Sequence, residues 1–207
     1  MTNLKIVLAR HGETQSNVRM ALDSAPPGPP LTRLGRQQAA QLARSLAGEP
    51  VVAVYASTAI RAQQTAEPVA TTHGLGVQVV DGVQEVFVGE LDNRTDETSV
   101  RAFYDVFSRW AGGELSVPMP GGECATEVIE RYHTVLKDIR DRHSHGVVVV
   151  LSHGAAIRLV TPTLATNVPM SVVRHALIPN TGRVVLDDDP DSPTGWRCQE
   201  WTGLSLA

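Results

Sequence analysis

Apolar runs of strand length alternate with segments of helical period along most of this chain. The strand-length runs lie at residues 4–9, 51–57, 76–80 and 146–152, and the helical segments at 31–48, 58–74, about 123–142 and 155–165. Such alternation is typical of layered α/β folds, and strands that are apolar on both faces belong in the centre of a sheet. The pattern predicts an α/β fold, a three-layer α/β/α sandwich with a mostly parallel central sheet.

Local signals add detail to this prediction. Thr32 is suited to cap the helical segment that follows it, and Leu34, Leu42 and Leu46 are predicted to share one face of that helix. The Pro/Gly-rich stretch at 23–31 predicts a stiff surface connection. The end of the chain, from residue 182 onward, is predicted to close the fold with a hairpin around an acidic turn.

Residues 81–122 interrupt the alternation and predict an inserted lid region with one short helix. On that helix the apolar residues Val100, Phe103, Phe107 and Trp110 follow helical spacing, which indicates packing. Long irregular insertions often cover active sites. We therefore take four residues of this region as candidates for substrate contacts: Arg94, Arg101, Phe103 and Tyr104.

Composition restricts the class of protein. The 207 residues, 42% of them hydrophobic, suffice for one domain spanning 1–207 with the lid insertion at about 81–122. A formal net charge of −4 at pH 7 argues against a nucleic-acid partner, because that binding requires a basic face. The two cysteines, Cys124 and Cys198, show neither a disulfide framework nor zinc-site spacing.

The expected location is the cytoplasm. The sequence begins without a charged segment followed by a long apolar one, and no apolar run reaches 18 residues. We expect no membrane partner, and a homodimer through a sheet edge or the tail is compatible with the sequence.

Three strand ends carry unusual polar residues. Arg10, His11 and Gly12 follow the first strand, residues 57–61 follow the second, and residues 152–154 follow the strand at 146–152. In open α/β sheets, ligands bind beyond the carboxyl ends of the strands, so these groups are predicted to converge. Two histidines, two arginines and adjacent glycines suit a small dianion, since arginine forks match phosphate oxygens and glycine admits close backbone approach.

Other phosphate chemistries fail at particular positions. Cys124 lacks the C-x5-R spacing, because Arg131 comes one place too late, and no early strand precedes a D-x-D motif. There is no phosphate-binding G-x-x-x-x-G-K-[ST] loop, and Val150 replaces the first glycine that a Ser152 nucleophile elbow requires. His143 and His145 in "HSH" are interpreted as part of a helix-end loop and not as metal ligands.

The sequence resembles the histidine phosphatase superfamily, also called phosphoglycerate mutase-like. "RHGETQSN" is similar to the family's R-H-G-E-T-x-x-x-N, and five further stretches follow in order: "PLTRLGRQQA", "YASTAIRAQQTA", "QEVFVGE", "PGGEC" and "VLSHGAAIR". The resemblance implies that His11 is the nucleophile and Glu85 the proton donor. It implies a phosphate pocket of Arg10, Arg61 and His153, with Asn17 as a further contact and Gly154 beside it.

These roles agree with the chemistry of phosphoryl transfer, which mainly requires positioned positive donors and in-line geometry. To attack, His11 must be neutral at one ring nitrogen, with its other nitrogen held by an acceptor such as a backbone carbonyl. The predicted function is a metal-independent phosphatase that hydrolyses a small phosphorylated metabolite through a phosphohistidine, without a cofactor.

Two alternatives stay open. A phosphoglycerate mutase is less favoured because only 67 residues separate Glu85 from His153, which leaves little sequence for a substrate clamp. A non-catalytic phosphate-binding module is suggested by departures from the family pattern. Gly89-Glu90-Leu91-Asp92-Asn93 replaces the usual G-x-W-E-G, and Asp23 or Ser24 falls where relatives place a neutral phosphate contact. An aspartate there would repel a dianion, so that contact is not carried over.

Overall fold

Seven strands form one mixed sheet in the computed structural model, which describes residues 3–205. They are β1 (Leu4–Arg10), β2 (Val51–Ala56), β3 (Val77–Val79), β4 (Gly146–Ser152), β5 (Arg183–Asp188), β6 (Trp196–Trp201) and β7 (Leu204–Ser205). Their order is β3-β2-β4-β1-β5-β6-β7. The four strands from β3 to β1 are parallel, whereas β5, β6 and β7 are each antiparallel to the preceding neighbour in that order. The predicted closing hairpin is thus β5–β6.

Helices cover both faces of the sheet. They are α1 (Gln15–Val18), α2 (Arg33–Leu46), α3 (Ile60–Thr72), α4 (Glu97–Ala111), α5 (Ala125–Arg142), α6 (Gly154–Leu164) and α7 (Val172–His175). On β1, Val7 and Ala9 face a core shared with α2 and α3. Ile6 and Leu8 face the second core, with α4, α5 and α6. The predicted three-layer α/β/α sandwich is confirmed, and its cause is the alternation of side chains along strands that are apolar on both faces.

The lid region, residues 81–122, contains a 3-10 turn at Gly89–Leu91 and the 15-residue helix α4. Phe103, Phe107 and Trp110 are buried, as the packing stripe predicts, while Val100 is only partly buried. Asp96 caps α4 by accepting a hydrogen bond from the backbone N–H of Ser99 at 3.0 Å. The aromatic face of α4 therefore belongs to the core on which the lid region rests.

Three details differ from the sequence expectations. Leu34 is 47% exposed, because the buried face of α2 is formed by Gly35, Ala39, Leu42, Ala43 and Leu46. β3 lies at the edge of the sheet and leaves Val79 half-exposed, although its apolar sequence suggested a central strand. α5 begins at Ala125, after the turn that contains Gly121 and Gly122. The predicted cap at Thr32 is present, with its hydroxyl accepting from Gly35 N–H at 3.0 Å.

Across residues 3–205, none of the helices combines the length and the apolar character that crossing a bilayer requires.

Candidate active site

The three polar strand ends meet at one edge of the sheet. β1 and β2 both pair in parallel with β4, so that Arg10 lies opposite Ser152 and Ala56 opposite Leu151. The next residues along each strand follow the same register, and the rings of His11 and His153 lie with centroids 5.2 Å apart. The predicted convergence is confirmed, and parallel pairing is its physical cause.

His11 is held in a single protonation pattern. Its Nδ1 lies 2.7 Å from the carbonyl oxygen of Gly12, which only accepts, so Nδ1 carries the proton. Its Nε2 accepts a hydrogen bond from Nε of Arg61 at 3.1 Å. Burial, and then the charges of Arg61 and Arg10, hold the pKa of His11 well below its ordinary value. The imidazole is therefore neutral, with its lone pair on the nitrogen that faces Arg61.

His153 is the more deeply buried of the two histidines, with no exposed surface. Its Nε2 is hydrogen-bonded to the hydroxyl of Ser57 at 2.7 Å, and its Nδ1 has no partner among the described residues. Burial, then the charge of Arg61, holds the pKa of His153 well below its ordinary value. His153 therefore lies directly behind His11, and neither it nor Gly154 is among the residues that line the cavity described below.

Arg10 and Arg61 bring two positive charges to the same place. Nη1 of Arg10 donates to the carbonyl of Ile178 at 2.7 Å, while its buried Nε has no partner among the described residues. A Cβ at Gly154 would lie 3.1 Å from Cδ and Nε of Arg10, so glycine leaves room for this side chain. Arg61 is 1% exposed and reaches His11 from the first turn of α3.

Glu85 lies at the N-terminus of α6. Its Oε1 accepts from the backbone N–H of Ala156 at 2.8 Å and of Val86 at 2.9 Å, and its Oε2 accepts from Ala155 at 3.1 Å. These three hydrogen bonds fix the position of the Glu85 carboxyl group against the start of α6. Glu85 is half-buried and, with Arg10 and His11, lines one cavity.

Asn17 is oriented by its carbonyl oxygen. That Oδ1 accepts from the backbone N–H of Thr14 at 3.1 Å and from Nδ2 of Asn180 at 3.1 Å. Asn180 also donates to the backbone carbonyl of His11 at 3.0 Å. With Oδ1 occupied by two donors, the side-chain amide of Asn17 is left as a donor at the wall of the cavity.

The cavity itself is small, about 110 Å³, and it includes the side chains of Arg10, His11, Asn17, Asp23, Arg61 and Glu85 in its walls. Two larger surface depressions lie elsewhere, one of about 460 Å³ between α2 and the β5–β6 hairpin and one of about 520 Å³ along α3 and β3. They contain none of the predicted site residues, and a third, of about 240 Å³ beside Glu123 and Arg131, contains Glu85 alone among them. Charge and convergence, and not size, therefore distinguish the candidate site.

The two departures from the family pattern form one structural unit. Asp23 forms a buried ion pair with Arg61, 3.3 Å from its Nη1, and the Asp23 side chain is 7% exposed. Asp92 fixes the neighbouring residue, since its Oδ1 accepts from the backbone N–H and from the hydroxyl of Ser24, both at 2.7 Å. Asp92 thereby fixes the loop next to Asp23, so the two departures are connected through Ser24.

Of the four candidates for substrate contacts in the lid region, only Phe103 lines the cavity. Tyr104 is 48% exposed beside Phe103, with ring centroids 5.4 Å apart. Arg94 pairs with Asp96 and Arg101 pairs with Glu97, on exposed surface away from the cavity. His143 is hydrogen-bonded to the hydroxyl of Tyr55 at 2.9 Å, which agrees with a structural interpretation of the "HSH" stretch.

Sequence reasoning missed Asn180 and Arg131. Arg131 donates to the carbonyls of Gly82, Gln84 and Glu85 at 2.9 to 3.0 Å, and it is held by Glu123 at 2.8 Å. It thereby fixes the backbone that carries Glu85. In sequence, Arg131 looks like an ordinary solvated helix residue, and the "PNTG" around Asn180 looks like a plain turn, so neither carried a signal.

A sheet edge that gathers two arginines, two neutral histidines and a carboxylate is suited to a phosphoryl group. The comparison with known families agrees with this class of site. The chain belongs to the histidine phosphatase superfamily (branch 1), whose sequence model matches residues 6–202.

Similar proteins include both long and short chains. The PE-PGRS family protein PE_PGRS11 of Mycobacterium tuberculosis (strain ATCC 25618 / H37Rv) is 31% identical over 99% of this chain, which spans only 37% of that protein's length. A Yersinia pestis (strain Pestoides F) protein is named probable phosphoglycerate mutase GpmB. It is 27% identical to this chain, and the match covers 93% of this chain and 90% of the Yersinia protein.

Solved structures that share the fold include two phosphatases. A mycobacterial glucosyl-3-phosphoglycerate phosphatase superposes with a TM-score of 0.81 at 22% identity, covering 97% of this chain and 99% of its own. A phosphoserine phosphatase from Entamoeba histolytica superposes with a TM-score of 0.79 at 21% identity, covering 96% of each chain.

Proposed function

We propose that this protein is a metal-independent phosphatase that hydrolyses a small phosphomonoester through a phosphohistidine on His11. The observation that carries the proposal is the state of His11. Its Nδ1 is fixed by the Gly12 carbonyl, its unprotonated Nε2 accepts a hydrogen bond from Arg61, and His11 lines the cavity together with Arg10, Arg61 and Glu85. A neutral imidazole beside two guanidinium groups is a nucleophile placed next to a dianion site.

In the first half-reaction, the lone pair on Nε2 of His11 attacks phosphorus and the bond from phosphorus to the ester oxygen breaks. Glu85 gives its proton to the departing oxygen and becomes a carboxylate. Arg10 and Arg61 supply positive charge, and neutral His153 is proposed to contribute a hydrogen bond, to the equatorial oxygens, where negative charge is spread in the transition state. The products are phosphorylated His11 and a free alcohol.

In the second half-reaction, Glu85 takes a proton from water, and the water oxygen attacks phosphorus. The bond from phosphorus to Nε2 breaks, its electron pair returns to His11, and inorganic phosphate leaves. Glu85 is again protonated. The same side chain serves as acid and then as base, which its single position beside the cavity permits.

Glu85 needs a proton before the first step, and its carboxyl oxygens accept hydrogen bonds from three backbone N–H groups. A phosphomonoester, whose second pKa lies near about 6, brings either a proton or a second negative charge to this cavity. In this proposal the monoanionic ester supplies the proton that the first step needs, by transfer to Glu85.

The mutase alternative has one specific support, the name of the Yersinia pestis relative. Against it, the two structural neighbours are named as phosphatases, and transfer to a second hydroxyl requires that the alcohol be retained while water is excluded. We favour hydrolysis. A binding module without turnover is less supported, because the proposed nucleophile, the proposed acid and two arginines, Arg10 and Arg61, line one cavity.

Rapid alkaline quenching during turnover tests the nucleophile. A phosphoramidate is stable to alkali and labile to acid, so label from ³²P-substrate is expected on a peptide containing His11 and is lost after brief acid treatment. His11→Ala should abolish both label and turnover, while His145→Ala, at an exposed histidine, should leave both unchanged. Label on His153, or near-normal turnover in folded His11→Ala protein, contradicts the proposal.

A second measurement separates the classes of function. We expect p-nitrophenyl phosphate to be hydrolysed in the presence of EDTA between about pH 4.5 and about pH 8. With 3-phosphoglycerate as probe, release of inorganic phosphate indicates hydrolysis, whereas formation of 2-phosphoglycerate without release indicates a mutase. Absence of any turnover or label by folded protein would indicate a binding module.

A further inference from the structure

One wall of the small cavity is apolar. It consists of Leu22, Val88, Phe103 and Ala155, which all pack in or on the core that contains α4, α5 and α6. Val88 and Phe103 are buried, while Leu22 and Ala155 are half-buried. We call these four residues the lid-side wall. The proposed chemistry assigns no role to their side chains, so a part of the substrate that does not react can lie against them.

The position of Glu85 connects the lid-side wall to the reaction. Oε2 of Glu85 accepts from the backbone N–H of Ala155 at 3.1 Å, and Glu85 precedes Val88 by three residues. The carboxyl group that protonates the departing oxygen therefore lies against this wall. In-line transfer to Nε2 of His11 directs the alcohol away from His11. The carbon atoms bonded to the ester oxygen then lie beside the lid-side wall.

Backbone N–H groups of the lid-side wall already donate within the protein. That of Leu22 donates to the carbonyl of Arg94 at 3.0 Å, and that of Val88 donates to the hydroxyl of Ser24 at 3.2 Å. A substrate hydroxyl placed here would lose water without gaining these donors, which costs free energy. Methyl and methylene groups gain free energy from the same transfer out of water.

Apolar surface continues next to the cavity. Met20, which precedes the lining residue Ala21, is 80% exposed. Tyr104 is 48% exposed, and its ring centre lies 5.4 Å from that of Phe103. A cavity of about 110 Å³ holds a phosphoryl group and a short part of the alcohol, so a longer alcohol must extend over this neighbouring surface.

We propose that the lid-side wall selects phosphomonoesters whose alcohol part is apolar, an alkyl or aryl group, over those whose alcohol carries hydroxyl or carboxylate groups. This inference rests on the proposed function and names the substrate class of the same site. It follows from the order of groups in one cavity. Arginines and His11 surround the position of phosphorus, Glu85 lies at the ester oxygen, and apolar carbon borders Glu85.

The test uses alkyl phosphates of increasing length, from propyl to hexyl phosphate. Their alcohols are leaving groups of nearly equal strength, so differences in kcat/KM report contacts of the chain. We expect kcat/KM of the wild-type protein to rise about two- to fourfold with each added methylene group.

Glycerol 3-phosphate provides a second comparison, since it has the three carbons of propyl phosphate and two added hydroxyl groups. The hydroxyl groups make its alcohol the better leaving group. We nevertheless expect propyl phosphate to be favoured in kcat/KM by about tenfold, because the lid-side wall leaves those hydroxyl groups without partners.

Leu22→Asn places an amide on the lid-side wall and keeps a similar side-chain size. It should reduce the gain per methylene to below about 1.5-fold and remove the preference for propyl phosphate over glycerol 3-phosphate. Tyr104→Ser should reduce the gain from pentyl to hexyl phosphate more than the gain from propyl to butyl phosphate. Leu34→Asn is the matched control, at a leucine that is 47% exposed on α2, and should keep the wild-type ratios.

Each outcome decides a separate question. If p-nitrophenyl phosphate is hydrolysed but the wild-type series is flat, the apolar preference is wrong and the proposed function stands. If the series rises and folded Leu22→Asn keeps the whole rise, the lid-side wall is not the contact and the inference is wrong. Absence of turnover on every phosphomonoester overturns the proposed function itself. The wild-type series and Tyr104→Ser decide the matter when Leu22→Asn does not fold.

Discussion

At the scale of single residues, the site is governed by which charges face each other in a buried space. Asp23 and Arg61 form an ion pair inside the cavity that we assign to phosphate. A bound dianion must compete with Asp23 for the guanidinium or share it. From the sequence we expect an aspartate at this position to oppose a dianion. The structure shows that Asp23 would do so by competing for Arg61.

Replacing Asp23 by asparagine should strengthen phosphate binding. The amide keeps the shape and an acceptor for Arg61 but removes the opposing charge, so the Kd for inorganic phosphate at pH 8 should fall roughly tenfold. Isothermal titration calorimetry measures this change. Asp105→Asn, at an exposed position of α4, is the control and should bind as wild type does. Weaker binding in Asp23→Asn would mean that Asp23 assists the anion.

At the scale of elements, the site depends on a close crossing between the turn after β1 and the start of α2. A Cβ at Gly12 would lie 2.5 Å from the carbonyl oxygen of Gly35, and a Cβ at Gly35 would overlap the backbone of Glu13. Thr32 reinforces the crossing, since its hydroxyl donates to Glu13 at 2.7 Å. The two segments around residues 12 and 35 could each be recognised from the sequence as a motif. The contact between them could not be predicted from the sequence.

Gly35→Ala should be destabilising, although alanine is ordinarily the better helix residue. The added methyl must displace Glu13, so we expect the free energy of unfolding to fall by about 1–3 kcal/mol and kcat/KM to fall as the His11 turn moves. Urea denaturation and steady-state kinetics measure the two effects. Gly48→Ala, where a Cβ meets nothing within 4 Å, should change neither. A stabilised, fully active Gly35→Ala protein would refute the importance of this crossing.

At the scale of the whole molecule, burying two neutral histidines couples stability to pH. Burial first, then nearby arginines, lowers the pKa of both His11 and His153 in the folded protein. The unfolded chain takes up their protons near about pH 6.5. Below that pH the unfolded state binds more protons than the folded state, so the free energy of unfolding falls as pH falls. Above that pH, the contribution of these two histidines does not change with pH.

We expect the free energy of unfolding, from urea denaturation at a series of pH values, to decrease between about pH 6.5 and about pH 5. Each of the two histidines contributes a slope approaching about 1.4 kcal/mol per pH unit. Half-buried His133 and His143, whose pKa values burial also lowers, add in the same direction. His153→Gln should reduce this slope by the contribution of one histidine, which approaches about 1.4 kcal/mol per pH unit. An unchanged slope in that variant would show that His153 does not remain neutral on folding.

The sequence alone determined the parts of this protein that depend on local periodicity. Apolar runs on both strand faces required covering layers, helical spacing supplied those layers, and parallel order brought Arg10, His11, Arg61 and His153 to one edge. Each of these steps rests on interactions between neighbours in the chain or on general rules of sheet assembly. The motifs around the same residues carried the family resemblance, which the family match confirms.

Only the tertiary structure decided which distant side chains meet. Several contacts join residues that are far apart in sequence. They are the ion pair of Asp23 with Arg61, the hydrogen bonds of Asp92 with Ser24, of Asn180 with Asn17 and of Arg131 with the Glu85 carbonyl, and the contact of Arg158 with the Phe107 ring. The same holds for the exposure of Leu34, since packing selected a different stripe of α2. A charged residue has no preferred partner until packing removes water and leaves a small set of neighbours, and that selection is not written in any local pattern.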